Sequence, residues 1–253
     1  MSEMEMTPGI DAAGTELATP PLTQGQRVVD TFIAPSKTFT DIRRNASWWL
    51  PYVIGALFIY LFIFAMQSRV GWPKVTENGM KATPKQAQQY AGMTPAQRGV
   101  AEKFTMGIWY AVPVLSLAVG AIIALVLWGT INFGFGGQAT YGQVFAVWMY
   151  AGLPLVLKWL LATVTLFAGL DSDSFNPRNP VGTNLGYYLS PEMPKWLISL
   201  GTSMDVFMIW SFVLAGIGLA IVARVKRSSG MIAIFGWWIL ILLVGAGYAA
   251  VAG

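Results

Sequence analysis

Lys158 and Asp205 are the two charged side chains that fall inside the long apolar runs of this chain. Charged groups in such a setting are the first place to look for chemistry. Lys158 is the one basic residue inside a run, about one and a half turns from Leu153 if a helix begins there. At that depth its ammonium can reach the near interface by snorkelling. Asp205 opens the next run, where a carboxylate can cap the first helical turn or complement its positive end. Helices starting at Leu153 and Asp205 would enter a membrane from opposite sides. A direct Lys158–Asp205 pair is therefore not expected.

The other groupings are weaker. Asp171, Ser172, Asp173 and Asn176 offer the oxygen ligands of a hard-cation site, but lack the glycine and distal Glu such loops use; a solvated turn is the simpler reading. Gly134-Phe135-Gly136-Gly137 lacks the Lys and the strand of a phosphate loop. The chain has no His and no Cys. That excludes Ser-His-Asp and Cys-His catalysis, thiolate chemistry, disulfides and His-ligated haem or zinc. The expectation is a protein with no catalytic residues, cofactor-binding residues, metal ligands or cofactor.

Five apolar runs must position whatever these residues do: about 50–67, 106–131, 153–170, 204–223 and 231–252. Crossing a hydrocarbon core of about 30 Å takes about 20 helical residues. Hydrophobic residues make up 55% of the 253 and charged ones 11%, where a soluble domain carries about 25% charged. The fold class expected is an all-α polytopic membrane protein. It is a bundle of five transmembrane helices, with amphipathic interfacial helices before the first span and in the loops. The net charge of +4 fits basic loops against anionic lipid; no basic, aromatic-laced stripe points to nucleic acid.

Two domains follow. Residues 1–25 are acidic and Pro-bearing, a disordered tail by composition; residues 26–253 form the membrane domain. From Gln26 to Asn45, apolar residues recur at helical spacing between basic ones, and Pro35 divides two short helices. Arg27, Lys37, Arg43 and Arg44, followed by Trp48 and Trp49, form the predicted membrane-surface contact. Thr83-Pro84 and Thr94-Pro95, each with a Gln completing a capping box, predict two helix starts. Residues 141–151 read as an interfacial or half-buried helix, cut from the third span by Gly152-Leu153-Pro154. Ser190-Pro191 predicts a further short helix. Small residues four apart (Gly120 and Ala124, Gly216 and Ala220, Gly245 and Ala249) allow helices to approach closely within the chain or in a homo-oligomer.

Three stretches carry a resemblance. Ala34-Pro35-Ser36-Lys37-Thr38-Phe39-Thr40-Asp41-Ile42 with Trp49-Leu50-Pro51 resembles the N-terminal signature of the Yip family, the Ypt/Rab-interacting membrane proteins, in its bacterial form. Tyr150-Ala151-Gly152-Leu153-Pro154 resembles that family's third-span motif. Asp205-Val206-Phe207-Met208-Ile209-Trp210, leading to Gly216 and Gly218, resembles the opening of its fourth span. The resemblance implies five spans, a cytoplasmic N-terminus, a bacterial inner membrane and no known catalytic residues. Eukaryotic relatives bind prenylated Rab GTPases; bacterial relatives mostly lack an assigned activity, so that role is not carried over.

The function expected is a non-enzymatic scaffold or adaptor. Its partners would be membrane lipids and protein partners the sequence does not name, as a homo-oligomer or within a larger membrane complex. The alternative is a small transporter or channel using Lys158 and the Pro-kinked third span.

Overall fold

Helix starts in this chain are written in local side-chain chemistry. At Thr23, Thr94 and Thr140 the hydroxyl accepts from the amide three residues on, and the Gln there accepts from the Thr amide in return. These reciprocal caps satisfy amides that a helix terminus leaves without partners. The computed structural model describes residues 20–81, 84–190 and 192–252, so most of the acidic tail and the Thr83 cap lie outside the described residues. The helices are α1 (Gln24–Ile33), α2 (Pro35–Ile42), α3 (Trp49–Arg69), α4 (Trp72–Met80), α5 (Pro84–Ala91), α6 (Pro95–Gly129), α7 (Tyr141–Ala151), α8 (Pro154–Phe167), α9 (Lys195–Ser203), α10 (Val206–Ala223) and α11 (Arg227–Ala252). A π-turn, Thr130–Gly134, ends α6, and a 3-10 turn, Leu185–Tyr188, precedes α9. Among the described residues there is no strand.

Among the described residues, five helical segments are long and apolar enough to cross a membrane: Trp49–Arg69, Pro95–Gly134, Tyr141–Phe167, Val206–Ala223 and Arg227–Gly247. The second runs for 40 residues, about 60 Å at 1.5 Å per residue, so its polar first turns project beyond a 30 Å core. The third differs from the sequence expectation. Residues 141–151 are not interfacial: Val144, Phe145, Ala146, Val147 and Tyr150 are buried, and α7 packs on α6 and α10. Pro154 sits in the first turn of α8, where its missing N–H would have had no helical partner. The proline therefore kinks one span of 27 residues instead of ending it. Short-range bonds from Leu153 to Tyr150 and from Leu155 to Gly152 carry the chain through the bend.

α10 is the central element, contacting α2, α7, α8 and α11. Its glycines permit this. A Cβ on Gly218 would lie 2.6 Å from Val147 and 2.8 Å from the Phe39 ring, and one on Gly216 would lie 2.6 Å from the Met231 sulfur. Gly120 receives Trp148 and Met149 in the same way. Two of the three predicted small-residue pairs thus pack within the chain, whereas Gly245 faces open space. Between α10 and α11, Arg224 adopts a left-handed conformation (φ 58°) that reverses the chain in a few residues. A second core forms around Phe62, buried completely between α3, α4 and α8, with Trp159 and Phe175 against it.

The N-terminal helices are part of the bundle. Phe39 and Ile42 of α2 are wholly buried against α7 and α10, and Phe32 of α1 meets the Trp210 ring edge-on at 5.7 Å. Val29 and Ile33 remain exposed. Beyond Pro191, α9 begins at Lys195 behind Pro194, later than the Ser190-Pro191 signal predicts.

Candidate functional site

Asp205 caps α10 from an extended backbone, its Oδ1 accepting from the amides of Phe207 at 3.0 Å and Met208 at 3.2 Å. The other oxygen accepts from the Thr183 hydroxyl at 2.6 Å and from Lys158 Nζ at 2.8 Å. The carboxylate side chain is 1% exposed and that of Lys158 19%. Four donors on two oxygens meet the requirement that a buried charge be paired and hydrogen-bonded.

The loop after α8 delivers this carboxylate. Val206 donates its amide to the Thr183 carbonyl, and Asn184 and Asp205 form an antiparallel bridge. Asn179 and Asn184 exchange amide hydrogen bonds at 2.7 and 3.2 Å, which fixes the approach. Gly186 lies against Gly201 of α9 so closely that a Cβ on either would collide with the other's backbone or with Thr202.

The pair that the sequence argues against is therefore made, and helix length explains it. The third span begins at Tyr141, not Leu153, which puts Lys158 about 25 Å along it. Asp205 lies about 27 Å along α10 from its Ala223 end. The two spans start together at the Gly137 turn, where Gln138 donates its amide to the Ala223 carbonyl. Lys158 and Asp205 thus reach the same level. Lys158 does not need to snorkel to the basic end, and Asp205 is more than a cap. Thr183, Asn184 and Asn179 are members of this site that read in sequence only as loop residues.

A second buried ion pair corrects the predicted surface set. Arg27 is 1% exposed, with Nε donating to Asp41 Oδ2 at 2.7 Å, so it ties α1 to α2 and does not touch the membrane surface. Thr31 and Thr38 both donate to the Arg27 carbonyl, and Tyr150 donates to Gln24 at 2.6 Å. Lys37, Arg43 and Arg44 are exposed. Trp49 is exposed, and Trp48 packs edge-on against Phe145 with centroids 5.0 Å apart.

On the opposite side the Asp171 turn is closed by bonds within it and tied to α4. Asp173 pairs with Lys74, and Asn78 donates to the carbonyls of Ser172 and Phe175. The hydrogen bond from Lys74 holds the Asp173 carboxyl below its ordinary range and raises the Lys74 ammonium in turn. Lys81 likewise lowers Glu77. Among the described residues no group of three acidic side chains is arranged to hold a metal. The Gly134–Gly137 stretch is a reversal: Gly136 takes φ 68°, and Gly137 fits against Ala223, where a Cβ would lie at 2.9 Å.

Five apolar helices around a buried ion pair, with an amphipathic hairpin packed on their basic end, define a multi-pass integral membrane protein. The Yip1 domain matches residues 29–248, and the chain belongs to that family. No curated protein and no solved structure matches it.

Proposed function

We propose that this chain is a non-enzymatic membrane scaffold or adaptor that works through protein and lipid contacts. The observation that carries the reading is that the charged pair on the spanning helices is consumed by structure: Asp205 holds Lys158, Thr183 and two helix amides. Transport through broken helices uses polar groups left open at the midplane. Here the break at Gly152-Leu153 is lined by buried Tyr150, Ala151 and Leu153. α6 and α11 keep most of their apolar surface uncovered, with 22% and 17% of their span windows buried, and lipid, a second copy or another subunit can cover them. Purification from native membranes in mild detergent is expected to retain a stoichiometric partner or a self-assembly. Reconstituted vesicles are expected to show no solute or ion flux. A flux abolished by Lys158→Gln in a protein that still folds would replace this reading with transport.

In the same reading the N-terminus and the Arg224–Arg227 turn face the cytoplasm of a bacterial inner membrane, because basic clusters against span ends mark that side. Reporters at Met1, Gln88, Gln138, Asn176 and Gly253 are expected to read in, out, in, out and out. A cytoplasmic signal at Asn176 together with an external one at Met1 would invert the orientation.

A further inference from the structure

Beside the Lys158–Asp205 pair lies a cavity of about 830 Å³ walled by α6, α7, α8, α9, α10 and α11. Its chemistry is divided. Lys158, Arg178, Ser199 and Ser203 stand around one part; Trp237, Trp238, Ile241, Leu127 and Ile123 line the rest. Among the described residues no carboxylate lines it. Lys158 is already neutralised by Asp205, whereas among the described residues no acidic side chain pairs with Arg178, and the Ser199 hydroxyl has no hydrogen-bond partner. The cavity therefore presents one uncompensated cation and a free hydroxyl above an apolar slot.

We propose that this cavity binds an anionic amphiphile, a membrane lipid with a phosphate-bearing headgroup and an acyl tail. The headgroup would meet Arg178 and Ser199, with the Lys158 ammonium behind them. A planar guanidinium recognises phosphate through paired N–H donors, and a net positive polar end favours an anion over a zwitterion. The tail would lie along α11. From Ile234 to Gly245, both lining residues, α11 rises about 16 Å, close to the depth of one leaflet's hydrocarbon, about 15 Å. The polar end lies at the level of Asp205, near the far surface, and the apolar end reaches toward the midplane, as a lipid of that leaflet lies. The site supplies a specific lipid contact for a scaffold without depending on that reading.

The test is native mass spectrometry of the full chain in a neutral detergent. Its probes are phosphatidylglycerol, phosphatidylcholine with the same chains, and inorganic phosphate. Phosphatidylglycerol is expected to bind at least about 10-fold more tightly than phosphatidylcholine, a difference of about 1.4 kcal/mol. Arg178→Gln, at an exposed position, is expected to erase that preference. Gly245→Leu adds a side chain where no atom lies within 4 Å, so it folds, and it is expected to lower occupancy by both lipids. Equal binding of the two lipids, or a preference that survives Arg178→Gln, would overturn the proposal. Arg178-dependent binding of inorganic phosphate with lipid occupancy indifferent to Gly245→Leu would reassign the site to a soluble anion and also overturn it. Loss of lipid preference with partners retained separates this proposal from the scaffold reading.

Discussion

Asp205→Leu is expected to destabilise the folded protein by about 3–5 kcal/mol, the range seen when one partner of a buried ion pair is removed. Three losses coincide: the α10 cap, the Thr183 bond and the carboxylate that pairs with Lys158. Asp205→Asn keeps an oxygen for the Phe207 and Met208 amides but leaves the ammonium unpaired. A smaller cost, about 1–3 kcal/mol, is expected, because Lys158 is partly exposed to the cavity and can turn into it. Combining Asp205→Asn with Lys158→Met removes both charges and should recover part of the loss, with a coupling of about 0.5–3 kcal/mol in a double-mutant cycle. Unfolding in mixed micelles, read by near-ultraviolet circular dichroism, measures the wild type, both Asp205 variants, Lys158→Met and the double variant. A cost below about 1 kcal/mol for Asp205→Leu would mean that the pair contributes nothing to stability.

Arg27→Ala is expected to cost a similar amount, about 3–5 kcal/mol, through the second buried pair. The Arg27 and Asp41 side chains are 2% and 6% exposed, so water does little to screen the charge left behind. Lys at position 27 should rescue poorly. Arg uses Nε toward Asp41 and Nη1, at 3.5 Å, toward the Ser47 carbonyl, a spread of donors that a single ammonium cannot reproduce. Arg27→Met with Asp41→Leu, which removes both charges at similar volume, should restore most of the stability. The local readout is protease cleavage within residues 24–42. It is expected to rise in Arg27→Ala and fall back in the double variant; unchanged protection in Arg27→Ala would show that Phe39 and Ile42 alone hold the hairpin.

Much of the fold was legible because membrane spans advertise themselves through length and apolarity, and Thr94-Pro95 and Pro35 mark their helix boundaries as plainly. The misread segment was 141–151. Its apolar residues resemble an interfacial helix when Pro154 is taken as a stop, and the signal against that reading was Thr140 with Gln143, a third capping box. Once the span begins at Tyr141, the depths of Lys158 and Asp205 coincide, so one boundary error concealed the site. The burial of Arg27 was hidden for a different reason. A basic residue among apolar neighbours reads as surface unless its carboxylate is known, and Asp41 lies across a proline-divided turn where helical periodicity says nothing about pairing. Arg178 and Ser199 belong to loop and short-helix segments whose places around the cavity depend on the long-range packing of Gly186 against Gly201.

The Lys158–Asp205 pair carries two formal charges inside the bundle yet is nearly blind to the membrane potential. A single charge moved across the whole membrane gains about 2.3 kcal/mol per 100 mV. Opposite charges 2.8 Å apart span less than a tenth of a core about 30 Å thick. Even aligned with the field, their dipole couples by only about 0.2 kcal/mol per 100 mV on that scale. The bundle can therefore keep this ionised contact in an energised membrane without its conformation following the voltage.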